Sequence, residues 1–475
     1  MTRPLSPFPD TVQTLVVGAG VSGMAMIAEL RRRDPATDML CVDRTDALGG
    51  IWRPNATRPG TGGAYTSLHL NTAARTSAFR DMPMPATYPR YPSHAQVGDY
   101  LRAYADQHHL TDAIRTGVAV ARARPSRRGQ HGWKVTLASD AGHHMITCEN
   151  LVIAGGLHDH PNLPDPIPGQ RQFGGRLLHT VDYQDALEFR DRRVVVVGMG
   201  NSAADIAVDL SRIAKRTVLS VRRGMHVIPK MLFGMTIDDI ASSKWWARTP
   251  ARLQRAIISA ALQLTRGHVT NYGLPAPGHR LFDAPVTISD DLITRLSHGD
   301  ITVRPAIVSF DRDNIVFADG SHEPADAVIY CTGYRIDYPY LPTAAVFGGP
   351  TGQVQLYRRV VAPYHPGLYL IGVIRPVGPV MPVVQGQAAW VADLIDGTAT
   401  LPSTDVMADE ITAHLARMTA RHSPSRTDSI HVNIGGYLKQ LAAERAAGAR
   451  RARQTHPHAV PMGLAETNAI DHTTH

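Results

Sequence analysis

Two glycine-rich segments carry the most legible chemistry in this chain, Gly18-Ala19-Gly20-Val21-Ser22-Gly23 and Gly198-Met199-Gly200-Asn201-Ser202-Ala203. Each follows an apolar, strand-like run and opens a stretch with helical spacing, the setting in which G-x-G-x-x-G/A cradles a pyrophosphate at a helix N-terminus. Gly18 allows the tight turn, Gly20 lets backbone N–H groups approach the phosphates, and Gly23 lets helix pack on strand. Asp43 ends the next apolar run, where a carboxylate can accept a hydrogen bond from a ribose hydroxyl, with Arg44 beside it. The second cradle closes with Ala203, and its following run ends in Ser220-Val221-Arg222-Arg223 without an acid. A carboxylate there would repel a 2′-phosphate, whereas guanidinium groups bind one, so Arg222 and Arg223 mark the second nucleotide as NADPH. Two dinucleotides in one chain imply hydride transfer between them, with the protein supplying position and electrostatics.

The elements that must hold these cradles follow from apolar periodicity. Thr11 to Val17, Ser22 to Arg33 and Met39 to Asp43 read as strand, helix and strand, and Arg193 to Val197, Ser202 to Ala214 and Thr217 to Val221 repeat the pattern. Val97 to His109 reads as a helix, Trp133 to Leu137 and Leu151 to Ala154 as strands, and Trp245 to Arg266 and Asp290 to Ser297 as helices. Ala327 to Tyr330 and Leu368 to Val373 read as buried strands that return the chain to the first domain. Gly49 to Pro92 is long, irregular and rich in Gly, Pro, Ser and Thr, which predicts a segment folded over a cofactor.

The chain has 475 residues and a formal net charge of +8, enough for two or three domains. The basic balance does not signal nucleic acid: no aromatic residues interleave with the arginine clusters, and anionic dinucleotides account for part of the charge. No apolar stretch approaches the roughly 20 residues of a membrane span, and Met1 to Asp10 lacks a signal-peptide pattern, so the expected location is cytoplasmic, without a membrane anchor. Cys41, Cys148 and Cys331 form no C-x-x-C pair, which argues against a dithiol reductase, and no histidine spacing predicts a metal site.

Between the cradles, Phe173-Gly174-Gly175-Arg176-Leu177-Leu178-His179-Thr180-Val181-Asp182-Tyr183 fits F-x-G-x-x-x-H-x-x-x-[YF]. This segment resembles the fingerprint of the class B flavin-dependent monooxygenases. Tyr183 resembles the flavin-containing monooxygenases rather than the Baeyer–Villiger enzymes, which usually carry Trp there. Leu48-Gly49-Gly50-Ile51-Trp52 is similar to the family's flavin-contacting G-G-x-W, Tyr65-Thr66-Ser67-Leu68-His69-Leu70-Asn71 to its Y-x-S-L-x-x-N, and Cys331-Thr332-Gly333-Tyr334 to its A-T-G-Y. The similarity runs from about Thr11 to Gly397. It departs at Asp43, usually Glu, at Leu70, often Thr, and at Ala154-Gly155-Gly156.

The resemblance implies an α/β fold of two Rossmann-like dinucleotide-binding domains, the NADPH domain inserted into the FAD domain. The expected boundaries are 1–170 and 326–441 for the two parts of the FAD domain and 171–325 for the NADPH domain with its linker and helical insertion. Residues 442–475 are expected to be a disordered polar tail. FAD and NADPH binding is assigned to Gly18, Ala19, Gly20, Val21, Ser22, Gly23, Asp43, Arg44, Gly50, Ile51, Trp52, Leu70, Asn71, Gly198, Gly200, Asn201, Ser202, Ala203, Asp205, Arg222, Arg223, Thr332 and Gly333, the first cradle taking FAD and the second NADPH. Phe173, Gly175, His179 and Tyr183 are assigned to linker gating. NADPH would reduce FAD, O₂ would add to form a C4a-hydroperoxyflavin, and a soft nitrogen or sulfur nucleophile of a small molecule would take the distal oxygen. Baeyer–Villiger oxygenation of a ketone or oxidative decarboxylation of an α-keto acid stays open as the alternative, as does homodimeric assembly. Asn71 is the catalytic candidate, because its amide donates and accepts without adding charge beside a reactive oxygen.

Overall fold

The computed structural model describes residues 8–53, 63–126, 132–243, 246, 248–349, 352–376, 378–419 and 428–455. Thr11–Val17 lies at the centre of a seven-stranded sheet, parallel to Met39–Asp43 on one side and to Gly142–Ile153 on the other. The registers Val17↔Val42 and Val17↔Ile153 bring three strand ends to one edge, where the first cradle begins. Ile114–Thr116 and Leu368–Leu370 extend the sheet in parallel, and Trp133–Ser139 and Ala119–Pro125 form an antiparallel meander with Gly142–Ile153. The parallel strands are apolar because helices cover them. Val21–Arg33 packs beside Met381–Ile395, and Arg33 bonds Asp393 and Asp396 across that seam.

The second sheet has the order Ile301–Arg304, Arg216–Ser220, Arg193–Val197, Ala327–Tyr330, Arg176–His179, all parallel. Its helix Asn201–Leu210 runs from the second cradle and lies against Asp291–His298. The chain crosses between the sheets twice, and the crossings are stitched together: His160–Pro161 pairs antiparallel with Tyr334–Arg335, and Asn162 N–H donates to Gly333 O at 2.9 Å. Among the described residues no helix is long and apolar enough to cross a membrane.

Two expectations need correction. Ala327–Tyr330 does not return the chain to the first sheet; it is the fourth strand of the second, so the return falls after Cys331. Four consecutive buried residues announce a strand covered on both faces but not which sheet covers it. Residues 442–455 are not a disordered tail: they belong to the helix Ile434–Thr455, with Leu441, Glu444 and Ala452 buried. Arg445 bonds Asp393 and Arg451 bonds Glu444, so part of the C-terminal arginine cluster makes tertiary and helical ion pairs. Residues 456–475, the rest of that expected tail, and Trp245, the expected helix start, lie outside the described residues; the helix is observed at Ala251–Arg266.

Candidate active site

The first cradle is built by close backbone approach. Gly18 has φ +107°, and a Cβ there would lie 2.6 Å from Ala154 O; one on Gly23 would lie 1.8 Å from Gly18 O. Only glycine meets both demands. The Gly49-Gly50 turn lies across the cradle: Gly49 N–H donates to Ala19 O at 2.9 Å, and a Cβ on Gly20 would touch Gly50 Cα at 3.4 Å. Asp43 is buried, and both carboxylate oxygens are engaged by the chain. Oδ2 accepts from Ala19 N–H at 2.7 Å, and Oδ1 from Thr45 N–H and Thr45 Oγ1 at 2.8 and 2.6 Å. Asp43 therefore braces the cradle loop, a role the ribose argument did not contain. Arg44 is ion-paired with Asp159.

From behind, the cradle is tied to the C-terminal helix. Gly372 presses on Ser22, where a Cβ would come within 2.4 Å of Ser22 Oγ. Gly372 N–H donates to Gln387 Oε1 at 2.9 Å, Gln387 Nε2 to Tyr437 Oη at 2.7 Å, and Tyr437 Oη to Arg358 O at 2.6 Å. No motif marks Gln387 or Tyr437 in the sequence.

The second cradle repeats the first with one change. Gly198 has φ +134°, its N–H donates to Ser220 O at 3.0 Å, and a Cβ would stand 2.5 Å from Cys331 O. Ala203 is fully buried where the first cradle has Gly23, and a Cβ on Gly200 would meet open space. Asn201 turns its Oδ1 to Ile288 N–H at 2.8 Å, which uses that oxygen to lock the cradle to Thr287–Ile288. Arg222 and Arg223 stand exposed just past the end of Arg216–Ser220, with no ion pair to either among the described residues.

The Y-x-S-L-x-x-N segment and the fingerprint converge on one helix face. Tyr65 Oη donates to Asp205 Oδ2 at 2.8 Å; Ser67 Oγ and Tyr183 Oη donate to Asp209 Oδ2 at 2.9 and 3.0 Å. Asp205 and Asp209 are four apart on Asn201–Leu210 and so share a face. Asp205, expected at the nucleotide, holds Tyr65. Burial raises its carboxyl above the ordinary range, opposed by the Tyr65 hydrogen bond. His179 Nδ1 accepts from Val181 N–H at 3.1 Å, leaving Nε2 to donate to Gly333 O at 3.0 Å; burial lowers its pKa, which favours this neutral form. Its ring stands edge-on to Tyr334 at 5.1 Å. Thr332 Oγ1 donates to Asn162 O at 2.5 Å, so Thr332 and Gly333 pin the domain crossing. Phe173 lies tilted by 60° to Phe310 at 5.2 Å and folds over Gly175, where a Cβ would lie 2.5 Å from the Phe173 ring.

Between the two cradles lies a cavity of about 370 Å³. Ile51, Trp52, Leu70 and Asn71 line it from the first domain, Gly200, Asn201 and Ser202 from the second. The loop that carries Asn71 is anchored at its far side: Leu70 N–H donates to Pro92 O, Leu70 O accepts from Lys230 Nζ at 3.5 Å, and Ala73 N–H donates to Asp238 Oδ2 at 2.7 Å. Asn71 Oδ1 is buried and has no hydrogen-bond partner among the described residues, an arrangement that a ligand donor would satisfy. Arg375 and His431 also line the cavity, brought there by the pairing of Arg375–Pro376 with His431–Val432, a contact between strands distant in sequence.

The family model described as flavin-binding monooxygenase-like matches residues 12–450. The chain is 31% identical over 439 residues to flavin-containing monooxygenase 5 of Homo sapiens, covering 90% of this chain and 81% of that protein. It is 30% identical over 443 residues to dimethylaniline monooxygenase (N-oxide-forming) 2 of Mus musculus, covering 91% and 82%. In fold it is similar to the S-allyl-L-cysteine S-oxygenase from Allium sativum, TM-score 0.68 at 22% identity over 94% of each chain. It is likewise similar to cyclohexanone monooxygenase in an open crystal structure, TM-score 0.70 at 18% identity over 93% and 99%. Two glycine cradles shaped for pyrophosphates, an unsatisfied amide between them and this span of similarity agree: the chain belongs to the flavin-binding monooxygenase-like family and is an NADPH-dependent, FAD-containing monooxygenase.

Proposed function

We propose that the enzyme oxygenates a soft nitrogen or sulfur centre of a small organic molecule held in the cavity between the cradles. The observation that carries this reading is the buried, unpaired Asn71 Oδ1 at that junction. Bound FAD, reduced by NADPH, supplies the electrons that activate O₂. The chain's own residues do the rest by position. Gly18 to Gly23 and Gly198 to Ala203 seat the two pyrophosphates, and Arg222 and Arg223 hold the 2′-phosphate. Trp52, Ile51 and Leu70 keep water from the reacting face, where stray protons would divert the electrons to H₂O₂. Asn71 accepts an N–H from a ligand at Oδ1 and offers its own N–H groups, which orients the ligand without placing a charge beside the reacting oxygen. The Tyr65–Asp205 and Ser67–Asp209 bonds hold the loop that carries Asn71 against the NADPH domain. Likeness to a relative named for N-oxide formation supports the nitrogen branch.

The test is product analysis of the holoenzyme with NADPH, O₂ and a panel of tertiary amines, thioethers, ketones and α-keto acids. N-oxides or sulfoxides are expected. Esters or lactones from ketones, or decarboxylated acids, with no N- or S-oxide, would overturn the reading. In Asn71→Ala, flavin reduction should stay fast while the share of electrons recovered as H₂O₂ rises several-fold; unchanged coupling would remove Asn71 from the site.

A further inference from the structure

The cavity wall holds one permanent charge. Arg375 lines it together with His69, His158 and His431, whereas no aspartate or glutamate does so among the described residues. A guanidinium is always charged and presents paired donors matched to a carboxylate. Arg375 is exposed to the cavity rather than sealed in the core, and its strand pairs in register with His431, which lines the same space. Tyr334, edge-on to His158 at 5.0 Å, backs this side. The phosphate-binding residues Gly200 to Ser202 come from the opposite domain, so the positive side is not the second cradle itself.

Resting on the oxygenase reading above, we infer that the Arg375–His431 wall is a carboxylate subsite and that the substrate is an anionic thioether or amine, its soft centre held away from its acid group. Arg375 receives the carboxylate, His158 adds a neutral N–H donor, His431 completes the wall, and Asn71 lies toward the reacting end. An Arg375–carboxylate pair with charge-assisted hydrogen bonds discriminates against a neutral analogue by roughly 10- to 100-fold.

The experiment compares 3-(methylsulfanyl)propanoate with its neutral methyl ester on the FAD-loaded enzyme. NADP⁺ is present for equilibrium binding, and NADPH and O₂ for sulfoxide formation. The acid is expected to bind and turn over better than the ester, and Arg375→Met to cut kcat/KM for the acid, mainly through KM, far more than for the ester. Arg375→Lys should recover part of that loss, and flavin content and the NADPH KM should not follow it. Equal binding of acid and ester, equal losses for both in Arg375→Met, or a loss confined to FAD content or the NADPH KM would overturn the subsite. The last result would assign Arg375 to a cofactor phosphate. An acid that binds with Arg375-dependent preference while neither compound yields sulfoxide would support the subsite and sink the oxygenase reading instead.

Discussion

Tyr65→Phe isolates one atom of the contact between the two nucleotide domains. The hydroxyl donates at 2.8 Å to Asp205, and Tyr65 is 5% exposed. A hydrogen bond to a charged group contributes about 1.5–3 kcal/mol, so the variant should lose about 2 kcal/mol. That corresponds to a fall in Tm of about 4 to 8 °C by the usual domain scaling. The loss should depend on pH. Burial holds the Asp205 carboxyl above its ordinary range, and the Tyr65 hydroxyl works against that rise; without the hydroxyl the carboxyl rises further. A carboxyl whose folded pKa exceeds its unfolded one stabilises the fold below the unfolded value and loses that contribution as pH rises through the folded value. The deficit is therefore largest at neutral and higher pH and shrinks as pH falls toward the ordinary carboxylate range. Adding Asp205→Asn should recover part of it, because a neutral amide is cheaper to leave without the donor. The assay is thermal unfolding of both single variants and the double variant at saturating FAD at pH 8 and pH 5, with H₂O₂ yield per NADPH alongside, since Asn71 follows Tyr65 on the same loop. An equal deficit at both pH values, or strictly additive variants, would refute the reasoning.

Arg222→Ala with Arg223→Ala should raise the NADPH KM by roughly 10- to 100-fold and leave the NADH KM nearly unchanged, as expected for lost charge-assisted contacts to a 2′-phosphate; steady-state kinetics with both nucleotides decides, and equal effects would refute the assignment. Gly18→Ala forces a side chain into φ +107° and against Ala154 O. At about 1–3 kcal/mol for the conformation alone, FAD retention should fall by roughly tenfold or more, read from the flavin-to-protein absorbance ratio after gel filtration; full retention would show that the cradle does not need Gly18.

Glycines and strand periodicity were legible because their causes are local. A positive φ at Gly18 and Gly198 and an apolar run before each are properties of a few consecutive residues. Asp43 was legible as a residue at a strand end but not as a brace, since Ala19 N–H reaches it only when the cradle folds back over the sheet. The partner of Asp205 was not legible for the same kind of reason: Tyr65 sits on a loop 140 positions earlier. Residues 442–455 of the helix Ile434–Thr455 read as a polar tail because their buried residues are sparse, and the helix packs on Met381–Ile395 through contacts such as the Tyr437–Gln387 bond rather than through its own pattern.

By itself the chain's order of residues determined that two pyrophosphate cradles exist, that one domain interrupts the other, and that the second nucleotide site ends in arginines instead of an acid. Only the tertiary structure decided that Tyr65, Ser67 and Tyr183 meet on Asp205 and Asp209, that Arg375 and His431 share a wall opposite the second cradle, and that Asn71 faces the junction with its oxygen unpaired. Backbone conformation and burial periodicity are written within a few residues of where they act. The contacts that shape a site between two domains join segments 26 to 142 positions apart, and their partners are set by how the sheets pack.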